Sequence, residues 1–448
     1  MSAGRFQGKL AEIVSSLWAA ICSHWSTPLH RSTYLLSANL LVTLVSSGGF
    51  WILASRLMTP TQVGVASAFL APGIFLSNVF LLGAHHGLLR FGREIEADHR
   101  LLFSAVWLCS GASAIGSGVS AAGLMLSGVV KPIGGSYLFS IIFYVLFVMG
   151  SVLWTISEAA FIAVRVPWKM FWRNIAFASA RVVIFLPFAP LGDFGLVASL
   201  SIGTWLAAML SIDLLRRHFH SSWEVFFAVW HPALRALVSF ALPNHLVNLI
   251  ANVPAMLLPL IALHLLGAET NGFFYIAWAL SAILRTILAA ASASLLAEGA
   301  RDDRLVGSHV GQSVGFLLLA VGASALPMIL FPRVVLIFFG SVYVQANVVT
   351  LPLFAISVLP STLMTVFVAR ERIKQRSRYI LTLSILYAFL STALPSLGAL
   401  ADGYLGFTVG YLVSQCLIGL SVLPSLRRSI APGNLYLQLL KRIGLSRA

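Results

Sequence analysis

Twelve stretches of this chain stay apolar for about the length a helix needs to cross a bilayer, roughly 20 residues. They cover 33–55, 62–83, 101–128, 136–163, 170–190, 195–214, 236–266, 271–297, 312–331, 346–369, 379–400 and 403–424. The runs are continuous rather than alternating, so they predict helices and not the short strands of a barrel. Polar residues gather in the short turns between them. The predicted fold class is an all-α polytopic membrane protein with about 12 transmembrane helices.

Composition agrees with that reading. Of 448 residues 59% are hydrophobic and 10% charged, with a mean hydropathy of +0.92. A soluble domain cannot hide so much apolar surface, so the solvent is lipid. The net charge of +15 could suggest nucleic acid, but its distribution argues against such a partner. With the N-terminus placed in the cytoplasm, 24 of the 29 Lys and Arg fall in the tails and the even-numbered turns. Arg56, Lys131 and Arg333 lie on the opposite side, and Arg181 and Arg285 lie within spans. This asymmetry follows the positive-inside rule and predicts that both termini are cytoplasmic, in a multi-pass protein of the inner membrane.

Cys22, Cys109 and Cys416 are isolated and give neither metal spacing nor a disulfide frame. Leu10, Ile13, Val14, Leu17, Trp18, Ile21 and Trp25 recur at helical spacing. They predict an amphipathic helix on the inner membrane surface, too short to span.

No loop is long enough to form a separate domain. The widest connection, 215–235, divides the chain into six spans on either side. LMTPTQVGVASAFLA (57–71) and LLGAETNGFFYIAWAL (265–280) align at an offset of 208, which pairs Leu57 with Leu265, Gly64 with Gly272 and Ala71 with Ala279. The predicted organisation is a cytoplasmic segment 1–31, a six-helix lobe 32–214, a central loop 215–235, a second six-helix lobe 236–424 and a basic tail 425–448. Two lobes of like topology, related by an axis along the membrane normal, suit a transport path between them.

Polar side chains inside the spans are the candidate chemistry. Span 1 carries Asn39, Thr43 and Ser47 four residues apart, and span 7 carries Asn244, Asn248 and Asn252 at the same spacing. Such steps keep side chains on one helix face. They serve either interhelical hydrogen bonds or the lining of a hydrated cleft. Pro243, Pro254 and Pro259 are expected to bend span 7. GASAIGSGVSAAG (111–123) is expected to allow close helix packing.

Arg181 lies about 18 Å into span 5 by helical rise, and Arg285 is similarly deep in span 8. A buried charge of this kind is costly and marks either a structural ion pair or a functional site. Glu158 in span 4 is an available partner for Arg181, could instead pair with Arg165, and is the candidate for ion coupling. The alternative for the arginines is a cationic cavity, because guanidinium matches phosphate geometry. On that reading Arg181 and Arg285 act as companions. His85, His86, His218 and His220 read as interfacial residues rather than metal ligands. No catalytic residues, metal or cofactor are expected.

FWILASRLMTPTQVGVASAFL (50–70), LLGAHHGLLRF (81–91), ILFPRVVLIFFGSVYVQA (329–346) and FVARERIKQRSR (367–378) resemble the multidrug/oligosaccharidyl-lipid/polysaccharide exporter superfamily. Specifically, they resemble its polysaccharide-biosynthesis branch of O-antigen-type flippases, and the likeness covers about residues 32–425. The resemblance implies alternating access between two lobes and translocation of an undecaprenyl-diphosphate-linked oligosaccharide. It also implies a role beside a polysaccharide polymerase and chain-length partners in the membrane. We expect a monomer. Arg181 and Arg285 have the type and depth for the cationic cavity of that branch. Related drug exporters couple to cations through an acid in the N-terminal half; span 1 has none, and Glu158 is the sole intramembrane candidate there. A drug or metabolite exporter is the alternative reading. A polymerase is disfavoured because Asp193, Glu269 and Asp402 each stand alone in short outward turns, and a membrane scaffold takes what remains.

Overall fold

The structure is a computed structural model that describes residues 28–222, 231–299, 319, 321–373 and 377–427. The expected amphipathic N-terminal helix, residues 223–230 of the central loop and the basic tail beyond 427 lie outside the described residues.

The described residues form helices joined by short turns, with no strand among them. Helices α1 (Pro28–Leu57) and α2 (Pro60–Phe80) meet at a turn written into MTPTQ. Thr59 accepts from the Gln62 amide at 3.3 Å while the Gln62 side chain accepts from the Thr59 amide at 3.0 Å, and Pro60 opens the helix. This reciprocal cap satisfies two amides that would otherwise face lipid unpaired. Leu82 and Gly83 adopt left-handed conformations that end α2 and start two short helices, α3 (Ala84–Arg90) and α4 (Gly92–Ala97). Then follow α5 (Arg100–Leu126), α6 (Tyr137–Ala163), α7 (Pro167–Phe188) and α8 (Asp193–His218).

The second half opens with α9 (Leu234–Leu266) and α10 (Ala268–Gly299), joined at Gly267. Of span 9 the described helical part is α11 (Val321–Leu330). Short helices α12 (Pro332–Leu336) and α13 (Ser341–Asn347) lead to α14 (Thr350–Ile373) and α15 (Ser377–Arg427). Spans 11 and 12 are the two limbs of α15, which folds back at Asp402 and Gly403. The limbs touch there backbone to backbone: a Cβ on Gly398 would lie 2.0 Å from the Gly406 carbonyl oxygen. Only glycine permits that approach.

Nine helices among the described residues are long and apolar enough to cross a membrane. Bulky apolar side chains such as Val45, Ile115, Val119, Leu126 and Leu400 stand at least 70% exposed, as lipid contact requires. Helix α9 runs from Leu234 to Leu266 through all three prolines. The small-residue stretch of α5 packs closely on one face: Gly116 admits the Phe80 ring, whereas Gly111 and Gly123 have nothing within 4 Å.

The first-half helices pack around α6, which touches α2, α3, α5 and α8, with α7 holding α1 against α8. In the second half α15 packs on α9 and α14, and α10 on α14. The main hydrophobic core crosses the division, joining Phe50 and Trp51 to Phe274, Phe354 and Tyr411. Helix α2 bridges the halves, lying on α10 at its Thr59 end and on α9 toward its His86 end.

Candidate functional site

Glycines set the contact between the halves. A Cβ on Gly64 would sit 1.8 Å from the Ala268 carbonyl oxygen, and one on Gly272 would sit 2.0 Å from that of Pro60. Two residues matched by the internal repeat are therefore pressed together where α2 crosses α10. Asn271 seals the crossing by donating to the Gly64 carbonyl at 2.7 Å. Arg56 adds a strap, donating to the Phe338 carbonyl at 2.8 Å and to that of Ile337. Away from this crossing the α1–α10 side is loosely met, with a cavity of about 180 Å³ bordered by Thr43, Ser47, Trp51 and Thr286.

A larger cavity of about 370 Å³ lies within the second half, between α9, α10, α14 and α15. Its polar lining is Asn248, Arg285, Arg372, Ser361, Thr365, Ser384 and Tyr387, and no carboxylate among the described residues borders it. Arg285 is held by its own helix, donating to Ser281 at 2.8 Å and to the Trp278 carbonyl at 3.2 Å. Its guanidinium carbon stands 4.0 Å from the centre of the Trp278 ring. Arg372 donates to Asn248 at 2.6 Å, and Asn248 in turn meets His86 at 3.1 Å. Two cations therefore border this cavity, and among the described residues no carboxylate does.

Arg181 occupies a different place from Arg285. It lies between α1 and α7, 6% exposed, with its guanidinium 4.4 Å from the Phe50 ring centre and 5.0 Å from that of Phe177. It donates to the Ser46 carbonyl at 2.5 Å. The cationic cavity does not include it, so the companion of Arg285 is Arg372. Sequence reasoning placed Arg372 in an inner turn with its neighbours; the helix in fact continues to Ile373 and points it at Asn248.

Glu158 pairs with neither Arg181 nor Arg165. It faces Arg173 at 3.9 Å, and Arg173 is fully buried on α7. Arg173 also donates to Asn174 at 2.8 Å, to Ser157 at 3.2 Å and to the Trp154 carbonyl at 3.3 Å. Asn174 donates to Asn39 at 2.5 Å, so the first polar residue of the α1 stripe ends in this network. Thr43 is spent on the Asn39 carbonyl. Arg173 and Arg370, both counted among the inner-turn charges, are buried in helices instead; Arg370 donates to the Ser425 carbonyl at 3.0 Å. Of the α9 stripe, Asn248 borders the cavity, Asn252 caps back onto the Asn248 carbonyl at 2.8 Å, and the Asn244 side chain lies outside the described residues.

His85 and His86 are partly buried. They stand in a cluster with His245, with ring centres 3.9 Å apart for His85–His86 and 5.6 Å for His85–His245. His245 meets the Asn78 carbonyl at 2.8 Å. Burial, reinforced by His86 and His245, pushes the His85 imidazole down to about 3. His86 is lowered by burial and by His245 and Arg372. Among the described residues no group of three His, Cys, Asp or Glu side chains is placed to hold a metal ion. The pairing of adjacent histidines with a third 160 residues away left no periodic signal in the sequence.

No protein-family model and no curated protein matches the chain. Solved structures do. An inward-facing multidrug resistance transporter of the MATE family, within the MOP superfamily, superposes with a TM-score of 0.66 at 13% identity, over 89% of this chain and 97% of that one. Its outward-facing counterpart gives 0.59 at 12% identity, over 90% and 95%. A MOP superfamily transporter from Pyrococcus furiosus, described as having a binding pocket of reverse polarity, gives 0.62 at 13% identity, over 90% and 96%. Identities this low carry the architecture alone, and the chain has the fold of the MATE transporters, twelve transmembrane helices in two lobes.

Proposed function

We propose that the protein is an alternating-access exporter of the multidrug type whose cargo is an anionic organic molecule. The observation that carries the cargo's charge is the second-lobe cavity, where Arg285 and Arg372 stand without a bordering carboxylate among the described residues. The fold supports the transport mechanism, and the Gly64–Gly272 crossing supports a state closed at that end. With the termini in the cytoplasm, as the charge asymmetry argues, that end is the outer one and the cavity opens inward. Solute enters between the lobes, its anionic group drawn to the two guanidinium forks, and leaves after the crossing parts. Tyr387 and the apolar cavity wall suit an amphiphile.

A lipid-linked oligosaccharide is the second reading, favoured by the same two arginines because a diphosphate presents several acceptor oxygens to paired guanidinium groups. Solved relatives that are multidrug transporters support the exporter more directly than the flippase. The test of cargo charge is binding by the purified protein of a sulfonated or phosphorylated amphiphilic dye against a cationic dye of like size. Selective binding of the anion, lost in Arg285→Gln with Arg372→Gln, is the expected result. To separate the two readings, surface polysaccharide and its lipid-linked precursor are measured in a deletion strain. Loss of polymer with precursor retained on the inner leaflet selects the flippase, and unchanged levels select the exporter.

A further inference from the structure

The two lobes do not meet symmetrically. A two-fold arrangement would make α10 meet α1 as α2 meets α9, yet α1 and α10 frame a cavity while α2 and α3 lie firmly on α9. The firm side is where the histidines stand. At the offset of 208 the counterparts of His85, His86, His245 and Asn248 are Ala293, Ser294, Ser37 and Leu40. None of these can carry a proton at physiological pH, so the chemistry belongs to one side of the cleft only.

We propose that His85, His86 and His245 form a pH-sensitive latch that holds the lobes together along α3 and α9, and that protonation of the cluster releases it. The latch has two arms. One runs from His86 through Asn248 to Arg372, at 3.1 and 2.6 Å. The other joins His245 of the second lobe to the Asn78 carbonyl of the first, at 2.8 Å. His85 lies between the arms, stacked on His86 and met edge-on by His245. The Nδ1 atoms of His85 and His245 are buried without a hydrogen-bond partner among the described residues. Neutral rings tolerate this packing. A proton on any of them places a cation in a buried cluster, and one on His86 lies near Arg372, which repels it.

Carboxylates do not offset that repulsion. Helix α9 contributes Arg235, His245 and His264 and no acid. On α6 the acid is Glu158, engaged with Arg173. On α14 Glu371 lies beside Arg370 at 3.6 Å. Glu94 and Glu96 sit on α4, and Arg90 of α3 covers the Phe240 ring. The groups that act electrostatically on His85 and His86 are the other imidazoles and Arg372.

The sign follows from the burial of His85. In the latched state its imidazole is held down at about 3, and once the lobes part it returns toward its ordinary value of 6.5. The neutral cluster therefore keeps the latch closed above the ordinary value, and the latch weakens as pH falls below it. Each pH unit below that value multiplies the released-to-latched ratio by about ten per proton taken up. The inference rests on the alternating-access reading but not on the nature of the cargo.

The experiment measures lobe separation, with no cargo present. Spin labels are placed on Leu89→Cys and Tyr379→Cys, both exposed, in full-length protein in nanodiscs with Cys22, Cys109 and Cys416 replaced by Ser. Distance distributions are recorded at about pH 8 and about pH 5. A longer-distance population that grows at least tenfold at the lower pH is expected. It should vanish in the triple variant His85→Gln, His86→Gln, His245→Gln. His86→Gln alone, which keeps an acceptor for Asn248, should shrink the response and serves if the triple variant does not fold. An unchanged wild-type distribution, or a variant with the full wild-type response, overturns the latch. Because the readout is distance, a failure to move anions leaves this result intact and counts against the cargo assignment alone.

Discussion

Gly64 and Gly272 hold equivalent positions in the two halves of the chain and are pressed against each other's helices, so closely that neither can carry a side chain. A pseudo-two-fold axis explains this: residues that match by repeat can touch only where they approach the axis. The crossing therefore lies close to that axis. Gly64→Val and Gly272→Val are each expected to collide with backbone and cost well over the 1–3 kcal/mol of ordinary overpacking. Thermal unfolding in detergent should show a marked loss for both. Gly111→Ala, which meets only open space, should be neutral or stabilising by up to about 1 kcal/mol through helix propensity.

Arg285 and Arg372 should act together on anion binding. Each single Gln variant is expected to weaken an anionic amphiphile by about 1.5–3 kcal/mol, the range for hydrogen bonds to charged groups, and the double variant to abolish measurable binding. Titration of the dye into purified protein checks this. Arg372→Gln also severs the bond to Asn248, so its effect should exceed that of Arg285→Gln.

Arg181 should behave in the opposite way. Its guanidinium is sandwiched near Phe50 and Phe177 and does not border the cavity. Arg181→Gln is expected to lower stability by about 2 kcal/mol, the scale of a desolvated cation–π contact, and to leave anion affinity within about twofold. Unfolding and dye titration on the same preparation separate the two effects.

Arg173 ties α7 to α6 through Ser157 and Glu158, and reaches α1 through Asn174 and Asn39. Arg173→Met removes the charge and keeps the volume, but strands the Asn174 and Ser157 partners. Glu158→Ala leaves a buried cation uncompensated, a change that typically costs about 3–5 kcal/mol in a dry interior and less here because Glu158 is partly exposed. We expect Arg173→Met with Glu158→Ala to be less damaging than the sum of the two single changes. A double-mutant cycle by thermal unfolding measures it.

Much of the architecture was legible because apolar run length is a one-dimensional signal. The fold-back at Asp402–Gly403 falls where spans 11 and 12 were divided, and the Gly64–Gly272 pairing came from repeat alignment alone. The site was legible only in part. Arg285 stood out because it interrupts an apolar run, and so did Arg181, although depth alone could not tell a cavity wall from an aromatic cage. Arg372 and Arg173 hid among turn arginines, since a helix that extends a few residues past its apolar run carries such charges into packing contacts: Arg173 is buried and Arg372 donates to Asn248. The histidine cluster depends on a contact between α3 and α9, and no spacing along the chain encodes it.

The most direct measurement is transport by the protein in sealed liposomes, comparing a fluorescent anionic amphiphile with a cationic one of similar size. Time-dependent movement of the anion, reduced at least tenfold by Arg285→Gln with Arg372→Gln, is expected at a rate above that of the cation. Movement of the cation alone, or anion movement unaffected by the double variant, would contradict a cationic transport cavity in the second lobe.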